Sequence, residues 1–115
     1  MKPIRIGAKS KKETDVNKQI IDAYHKMGIK CWRNNSGGVK RGGRWISLSP
    51  PGTPDIIGYW PNGKFLGIEN KSNGEPLSGA QGDFAYDAIQ SGAKVIIVKS
   101  LDEAIEYAVR GEWKL

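Results

Sequence analysis

The chain has 115 residues, a net charge of +6 and one cysteine, Cys31. This length supports one hydrophobic core and is too short for two, so we expect a single domain over residues 1–115. One cysteine excludes an internal disulfide framework and a multi-cysteine zinc site. No apolar run approaches the roughly 20 residues that span a bilayer, and residues 1–12 lack the apolar segment of a signal peptide. The sequence therefore predicts a cytoplasmic protein with no membrane partner.

Positive charge is concentrated in the first half of the chain. Residues 1–50 hold 12 Lys or Arg against three Asp or Glu, a net of +9, whereas residues 51–115 hold six against nine, a net of −3. Such a surface attracts polyanions, of which nucleic acid is the commonest inside cells. A solubilising surface that binds nothing specific is the alternative. We expect residues 1–9 to form a basic, partly flexible arm.

The first predicted helix covers residues 10–27, where apolar side chains recur at three- and four-residue spacing. Ser10 and Glu13 have the spacing of a capping box at its start, although Thr14 is a competing cap. Residues 29–34 have the composition of a strand. Residues 34–43 are rich in Asn, Ser and Gly, which predicts a loop that is mobile without a partner.

Three further strands are predicted at residues 44–48, 55–60 and 65–71. The pair Asn62-Gly63 between the last two is typical of a hairpin. A helix over 78–90, a strand over 95–98 and a helix over 101–109 follow, and the β-branched run at 95–98 is typical of a strand buried on both faces. The order α-β-β-β-β-α-β-α predicts an α/β fold with a mixed β-sheet flanked by helices.

Two carboxylates and an ammonium group are predicted to converge. Glu69 and Lys71 lie two residues apart on one strand, so they share a face. If the preceding hairpin forms, Asp55 lies near the same end of the sheet. Paired carboxylates suit Mg²⁺, which stabilises charge on a phosphoryl oxygen, and a nearby lysine can orient the attacking water. The alternative is an ordinary ion pair between Glu69 and Lys71, with Asp55 capping a turn.

Pro54-Asp55 followed by Glu69-Asn70-Lys71 resembles the signature of the PD-(D/E)xK nuclease superfamily. Residues 33–37, 52–58, 67–71 and 77–81 resemble, in order, successive motifs of its VRR-NUC family, and the resemblance extends over residues 13–108. It implies a restriction-endonuclease-like core and Mg²⁺- or Mn²⁺-dependent hydrolysis of DNA phosphodiester bonds. It also implies metal binding by Asp55 and Glu69 and by the backbone carbonyl of Asn70, and catalytic roles for Lys71 and Gln81.

The resemblance also bears on the substrate and the assembly. Small standalone members from bacteria and phages resemble Holliday-junction resolvases that act as homodimers, so we expect a four-way-junction endonuclease in a bacterial or phage-infected cell. A large aromatic side chain without a partner in its own chain would favour a self-complementary interface, and Trp32, Trp45 and Trp113 are the candidates. A flap or other branched-DNA nuclease is the first alternative. A non-catalytic nucleic-acid-binding module is the second.

Six residues are candidate DNA contacts, in and beside the basic loop: Arg33, Asn35, Ser36, Lys40, Arg41 and Arg44.

Three residues of the implied site have two interpretations each. Glu13 either binds a metal-bound water, as a first-helix glutamate does in related nucleases, or only completes the capping box with Ser10. Gln81 either completes the active site or is only a polar residue of a helix's first turn. Asn70 stands where the family usually has an apolar residue, so it either finds hydrogen-bond partners or lies near the surface.

Overall fold

The computed structural model of the protein describes residues 11–35 and 38–115. Its elements in chain order are α1 (Lys11–Lys26), β1 (Lys30–Arg33), β2 (Gly38–Arg41), β3 (Arg44–Ser47), β4 (Ile56–Tyr59), β5 (Phe65–Asn70), α2 (Gly79–Gln90), β6 (Lys94–Val98), α3 (Leu101–Arg110) and a 3₁₀ turn (Glu112–Lys114). The expected arm over residues 1–9, the capping residue Ser10 and the candidate contact Ser36 lie outside the described residues. Within the described ranges, no helix has the length and apolarity needed to cross a membrane.

Four strands form a mixed sheet in the order β1-β4-β5-β6. The first two pairings are antiparallel and β5 pairs with β6 in parallel. Helices α1 and α3 cover one face, where the main core includes Ile20, Ile68 and Ala104. Helix α2 covers part of the other face, where Ala85 packs with Val95. The predicted α/β fold with a mixed sheet flanked by helices is confirmed.

An aromatic cluster fixes the helices of the main core against β4. The ring of Trp60 is fully buried and lies 5.8 Å from that of Tyr24, 5.5 Å from that of Tyr107 and 6.1 Å from that of Trp113, centroid to centroid. The Tyr24 hydroxyl donates to the carbonyl of Ala104 at 2.7 Å, which ties α1 to α3. Trp113 therefore has a stacking partner in its own chain, whereas Trp32 is exposed.

The prediction of a loop over residues 34–43 is wrong for residues 38–41, which form β2. Strands β2 and β3 form a separate two-stranded hairpin, so five strands precede α2 instead of the predicted four. Gly42 and Gly43 connect them with φ of +57° and +77°, the positive values that a two-residue type I′ turn requires. The sequence signal was weak because Val39 is the only apolar side chain in β2.

The β-branched composition of residues 95–98 predicted a strand that is buried on both faces. Val95, Ile96 and Val98 of β6 are buried as predicted, but Ile97 is not. The strand lies at the edge of the sheet, and α2 covers Val95 but leaves the side chain of Ile97 44% exposed. Ile96 and Val98 point to the opposite face and join the main core. The exposed Ile97 lies beside Glu69 in the strand register.

Candidate active site

The β4–β5 hairpin brings Asp55 and Glu69 to the same end of the sheet. The two strands are antiparallel and Ile56 pairs with Ile68. Asp55, which precedes Ile56, therefore lies at the same level as Glu69, which follows Ile68. Alternation along β5 puts Lys71 on the same face as Glu69. The exposed fractions of Asp55, Glu69 and Lys71 are 6%, 3% and 7%. Ionisable groups buried to this degree are normally paired, hydrogen-bonded or bound to a metal, so their clustering indicates a built site.

Asn70 is fully buried and makes hydrogen bonds through both its backbone and its side chain. Its backbone N–H donates to Oδ2 of Asp55 at 2.8 Å. Its amide nitrogen donates to the Glu13 carbonyl at 3.1 Å and to Oδ1 of Asn17 at 2.9 Å, while its amide oxygen accepts from the backbone N–H of Ser72 at 2.9 Å. Of the two alternatives for this position, Asn70 follows the one in which the amide finds partners.

The bonds of Asn70 attach the first turns of α1 to the site. Glu13 is 3% exposed and Asn17, one turn later on the same face, is 1% exposed. The structure therefore places Glu13 on the buried side of α1, against β5. Because Ser10 lies outside the described residues, its capping bond to Glu13 stays a prediction. Sequence reasoning missed Asn17, although its four-residue spacing from Glu13 was the available signal.

Gln81 both caps α2 and contacts Glu69. At the start of α2, its backbone N–H donates to Oγ of Ser78 at 3.2 Å and its Oε1 accepts from the Ser78 N–H at 2.9 Å, which forms a capping box. The other end of the same amide, Nε2, donates to Oε1 of Glu69 at 3.1 Å. The cap thus fixes the Gln81 side chain in the position from which it orients the Glu69 carboxylate.

Gly52 packs the segment before Asp55 against the start of α2. Its φ is +80°, and a Cβ at this position would lie 2.0 Å from the carbonyl oxygen of Ala80 and 2.8 Å from the backbone nitrogen of Gln81. Only glycine allows both this conformation and this approach. Asp55 and Gln81 are far apart in the sequence. The contact between Gly52 and the start of α2 fixes the position of one segment against the other.

The candidate DNA contacts lie on the β2–β3 hairpin and around the end of β1. Lys40, Arg41 and Arg44 are exposed on the β2–β3 hairpin. Arg33 is exposed at the end of β1. It lies two residues after the buried Cys31 and pairs with Ile56, so it belongs to the face opposite to that of Glu69. Asn35 is exposed just beyond β1. The structure brings Asp55, Glu69, Lys71 and Gln81 to one face of the sheet, and it brings neither Glu13 nor Arg33 to that face.

His25 and Cys31 contact each other near the start of β1, away from the carboxylates. Nε2 of His25 lies 2.7 Å from the carbonyl oxygen of Cys31, so the imidazole donates to it. The Cys31 side chain is 2% exposed, and burial raises the pKa of its thiol to about 11. A thiol in this environment stays protonated and unreactive.

The donor set suits a hard divalent cation. Asp55 and Glu69 supply carboxylate oxygens, and the N–H and C=O of a strand residue point to the same side, so the Asn70 carbonyl lies on the Asp55 side. Among the residues that the structure describes, no three His, Cys, Asp or Glu side chains are arranged to hold a metal. Comparison of the chain with protein-family models, curated proteins and solved structures found no match.

Proposed function

We propose that the protein is an Mg²⁺- or Mn²⁺-dependent endodeoxyribonuclease with a PD-(D/E)xK core of the VRR-NUC type. The observation that carries the proposal is the burial of Asp55, Glu69 and Lys71 at one end of β5. The mixed sheet supports it, since α1 and α3 lie on one face and α2 begins beside the site on the other.

Two oriented carboxylates fit a magnesium-type ion, which prefers oxygen ligands and keeps several of its waters. Asp55 and Glu69 would hold the ion, together with the Asn70 carbonyl. The bound ion would supply charge stabilisation at a phosphoryl oxygen and a lowered pKa for its water. Because water completes the coordination of such ions, a third side-chain carboxylate is not required.

The residues around the carboxylates have separate roles. Lys71 presents a positive charge on the Glu69 face, where it stabilises negative charge that develops on the phosphate and orients the attacking water. Gln81 is a positioning residue that fixes Glu69 through its Nε2 donor. The backbone N–H of Asn70 does the same for Asp55, and this bond does not depend on the identity of the side chain at position 70.

For the substrate we propose a four-way DNA junction cut by a homodimer. Cleavage of two opposed strands needs two sites, and each chain carries one, so a two-fold dimer is the simplest assembly. The side chain of Trp32, which is 52% exposed, supports an interface between two copies of the chain. Binding of phosphates alone would not favour buried carboxylates beside a basic surface, which weighs against a non-catalytic module.

The substrate is tested with end-labelled DNA of matched sequence, as a four-way junction, a 5′ flap, a splayed arm and a linear duplex, each with Mg²⁺, Mn²⁺ or Ca²⁺. We expect cleavage of the junction with the first two ions and binding without cleavage in Ca²⁺. Sedimentation at micromolar concentration should give a dimer. A monomer that cuts the flap in preference to the junction replaces the junction proposal with the flap-nuclease alternative. Failure to cut any of the four substrates contradicts the nuclease proposal.

A further inference from the structure

The β2–β3 hairpin stands apart from the rest of the fold. Within the described residues, it forms its own two-stranded sheet and does not pair with the four-stranded one. Large side chains of the hairpin remain exposed on both of its faces, namely Val39, Trp45 and Ile46. A two-stranded ribbon with two exposed faces has no core of its own. Packing within the described residues therefore does not explain its exposed apolar side chains, and binding of a partner would.

The charge of this part of the chain identifies the partner class. Residues 23–54 contain six Lys or Arg and no Asp or Glu. Three of the six, Lys40, Arg41 and Arg44, are exposed on the hairpin. A surface with cations and no anions is complementary to a polyanion, and it would be a poor surface for a second copy of itself because the like charges would repel.

One face of the hairpin carries Trp45, an exposed aromatic side chain that contacts the neighbouring strand. Lys40 and Trp45 are cross-strand partners, so their side chains lie together. The Trp45 indole rests on the backbone of Gly38, because a Cβ there would lie 2.5 Å from Cε2 and 2.6 Å from Cζ2 of the ring. The ring is nevertheless 67% exposed. It is therefore supported from one side and open on the other.

The base of the hairpin is bonded to the candidate active site. After β3, Oγ of Ser49 donates to Oδ1 of Asn34 at 2.8 Å. The backbone N–H of Asn34 donates to the carbonyl of Asp55 at 2.8 Å. These two bonds connect the end of the hairpin to Asp55, so a ligand that binds the hairpin is held by a segment attached to the carboxylate cluster.

We propose that Trp45 stacks on an unpaired base of the DNA substrate while Lys40 contacts the adjoining phosphate. The inference rests on the proposed nuclease function and specifies the DNA feature that the protein recognises, which is a branch point with an unstacked base. Base faces are accessible to an indole only where the stack is interrupted, so this pair selects branched or single-stranded DNA over intact duplex. Trp45 is a specificity-determining residue in this scheme, and it does not touch the reacting atoms.

The test is a binding measurement that does not depend on cleavage. Forked DNA with 2-aminopurine at the branch, and a linear duplex of the same sequence, are titrated with the protein in EDTA and then in Ca²⁺. We expect Trp45→Ala to weaken binding of the fork by about five-fold to 100-fold and to leave duplex binding nearly unchanged. Trp45→Phe should restore most of the fork preference, because it restores an aromatic face. The 2-aminopurine emission should change with wild type and with Trp45→Phe, and not with Trp45→Ala.

Matched controls separate stacking from general effects. Tyr86 is 66% exposed on α2, so Tyr86→Ala removes an equally exposed aromatic side chain and should leave the fork preference intact. Gly38→Ala keeps the indole but removes its support, and it should reduce the fork preference. Wild-type fork preference in Trp45→Ala, or an equal loss in Tyr86→Ala, overturns the inference.

A cleavage assay in Mg²⁺ and Mn²⁺ distinguishes this inference from the proposed function. If wild type cuts DNA and Trp45→Ala binds the fork as wild type does, the stacking inference fails and the nuclease proposal stands. If Trp45 is needed for fork binding and no ion supports cleavage, the stacking inference stands and the nuclease proposal fails.

Discussion

The side chains of Asn17 and Asn70 meet in the interior, where Nδ2 of Asn70 donates to Oδ1 of Asn17 at 2.9 Å. The bond joins α1 to the middle residue of the Glu69-Asn70-Lys71 motif. It gives a buried amide its partners, and it couples the position of the first helix to the strand that carries two of the catalytic candidates.

This coupling predicts a non-additive effect on stability. Asn17→Ala and Asn70→Ala should each lower the free energy of unfolding by about 1 to 3 kcal/mol, because each leaves a buried polar partner unsatisfied. The double variant should cost less than the sum of the two, with a coupling energy on the order of 1 kcal/mol. Urea unfolding of the four proteins measures it, and strict additivity would show that the bond contributes nothing.

Gln81→Ala should reduce cleavage by about 10- to 100-fold and weaken metal binding, because Glu69 loses the donor that orients it. Ser78→Ala is the matched control, since it removes the capping oxygen but keeps the Gln81 amide. It should lower stability by about 1 kcal/mol and leave the rate at saturating metal nearly unchanged. Equal rates for Gln81→Ala and Ser78→Ala would limit Gln81 to its capping role.

Gly52→Ala should destabilise the fold by more than Gly63→Ala does. Both glycines have a left-handed φ, at +80° and +85°, so alanine is strained at either position. Only Gly52 also meets backbone, at 2.0 Å from the Ala80 carbonyl oxygen, whereas nothing lies within 4 Å of a Cβ at Gly63. We expect a cost of about 1 to 2 kcal/mol at Gly63 and a clearly larger one at Gly52. Equal midpoints of thermal unfolding would contradict the described contact.

Stability should decline in alkaline solution. Burial raises the pKa of the Cys31 thiol from 9.0 to about 11. A thiol that ionises more readily in the unfolded chain contributes stability below pH 9 that is lost as pH rises toward 11. Cys31→Ser does not titrate in this range, so it should lose less stability than wild type between about pH 8 and pH 10.5. Part of the decline should persist, because burial also raises the pKa of Tyr24 and of Tyr107. Identical pH profiles would show that Cys31 contributes nothing to this dependence.

Binding to DNA should be steeply salt-dependent. Replacing Lys40 and Arg41 with glutamine should flatten the slope of log affinity against log salt by up to about two units, because each lost phosphate contact removes roughly one. Lys64 and Lys94 lie near the opposite end of β5, so their replacement is the matched control and should leave the slope unchanged. If both pairs behave alike, the DNA lies elsewhere on the surface.

Local patterns in the sequence predicted the parts of the fold that depend on neighbouring residues. Asn62-Gly63 predicted the β4–β5 hairpin, and its turn closes through a bond from the Gly63 N–H to the Trp60 carbonyl at 2.8 Å. Two-residue spacing predicted the shared face of Glu69 and Lys71. The structure has both side chains buried at the end of β5.

Other features depend on contacts between distant segments, and the sequence did not predict them. The burial of Asn70 requires Asn17, which lies 53 residues earlier. The exposure of Ile97 follows from the position of α2, which covers Val95 but not Ile97, and no local pattern encodes that position. Strand β2 has too few apolar side chains for its periodicity to be recognised, and it forms because Gly42 and Gly43 allow the turn.

The central claim is that Asp55 and Glu69 hold a catalytic metal ion, and it is tested most directly by cleavage of a labelled four-way junction in Mg²⁺. Asp55→Asn and Glu69→Gln remove one negative charge each and keep a hydrogen-bond acceptor, and Glu75→Gln does the same at an exposed position outside the site. We predict that the first two variants lose cleavage by more than about 100-fold while binding the junction as wild type does, and that Glu75→Gln cleaves normally. Near-normal cleavage by Asp55→Asn or Glu69→Gln, or wild-type cleavage that persists in EDTA, would contradict the metal-site assignment.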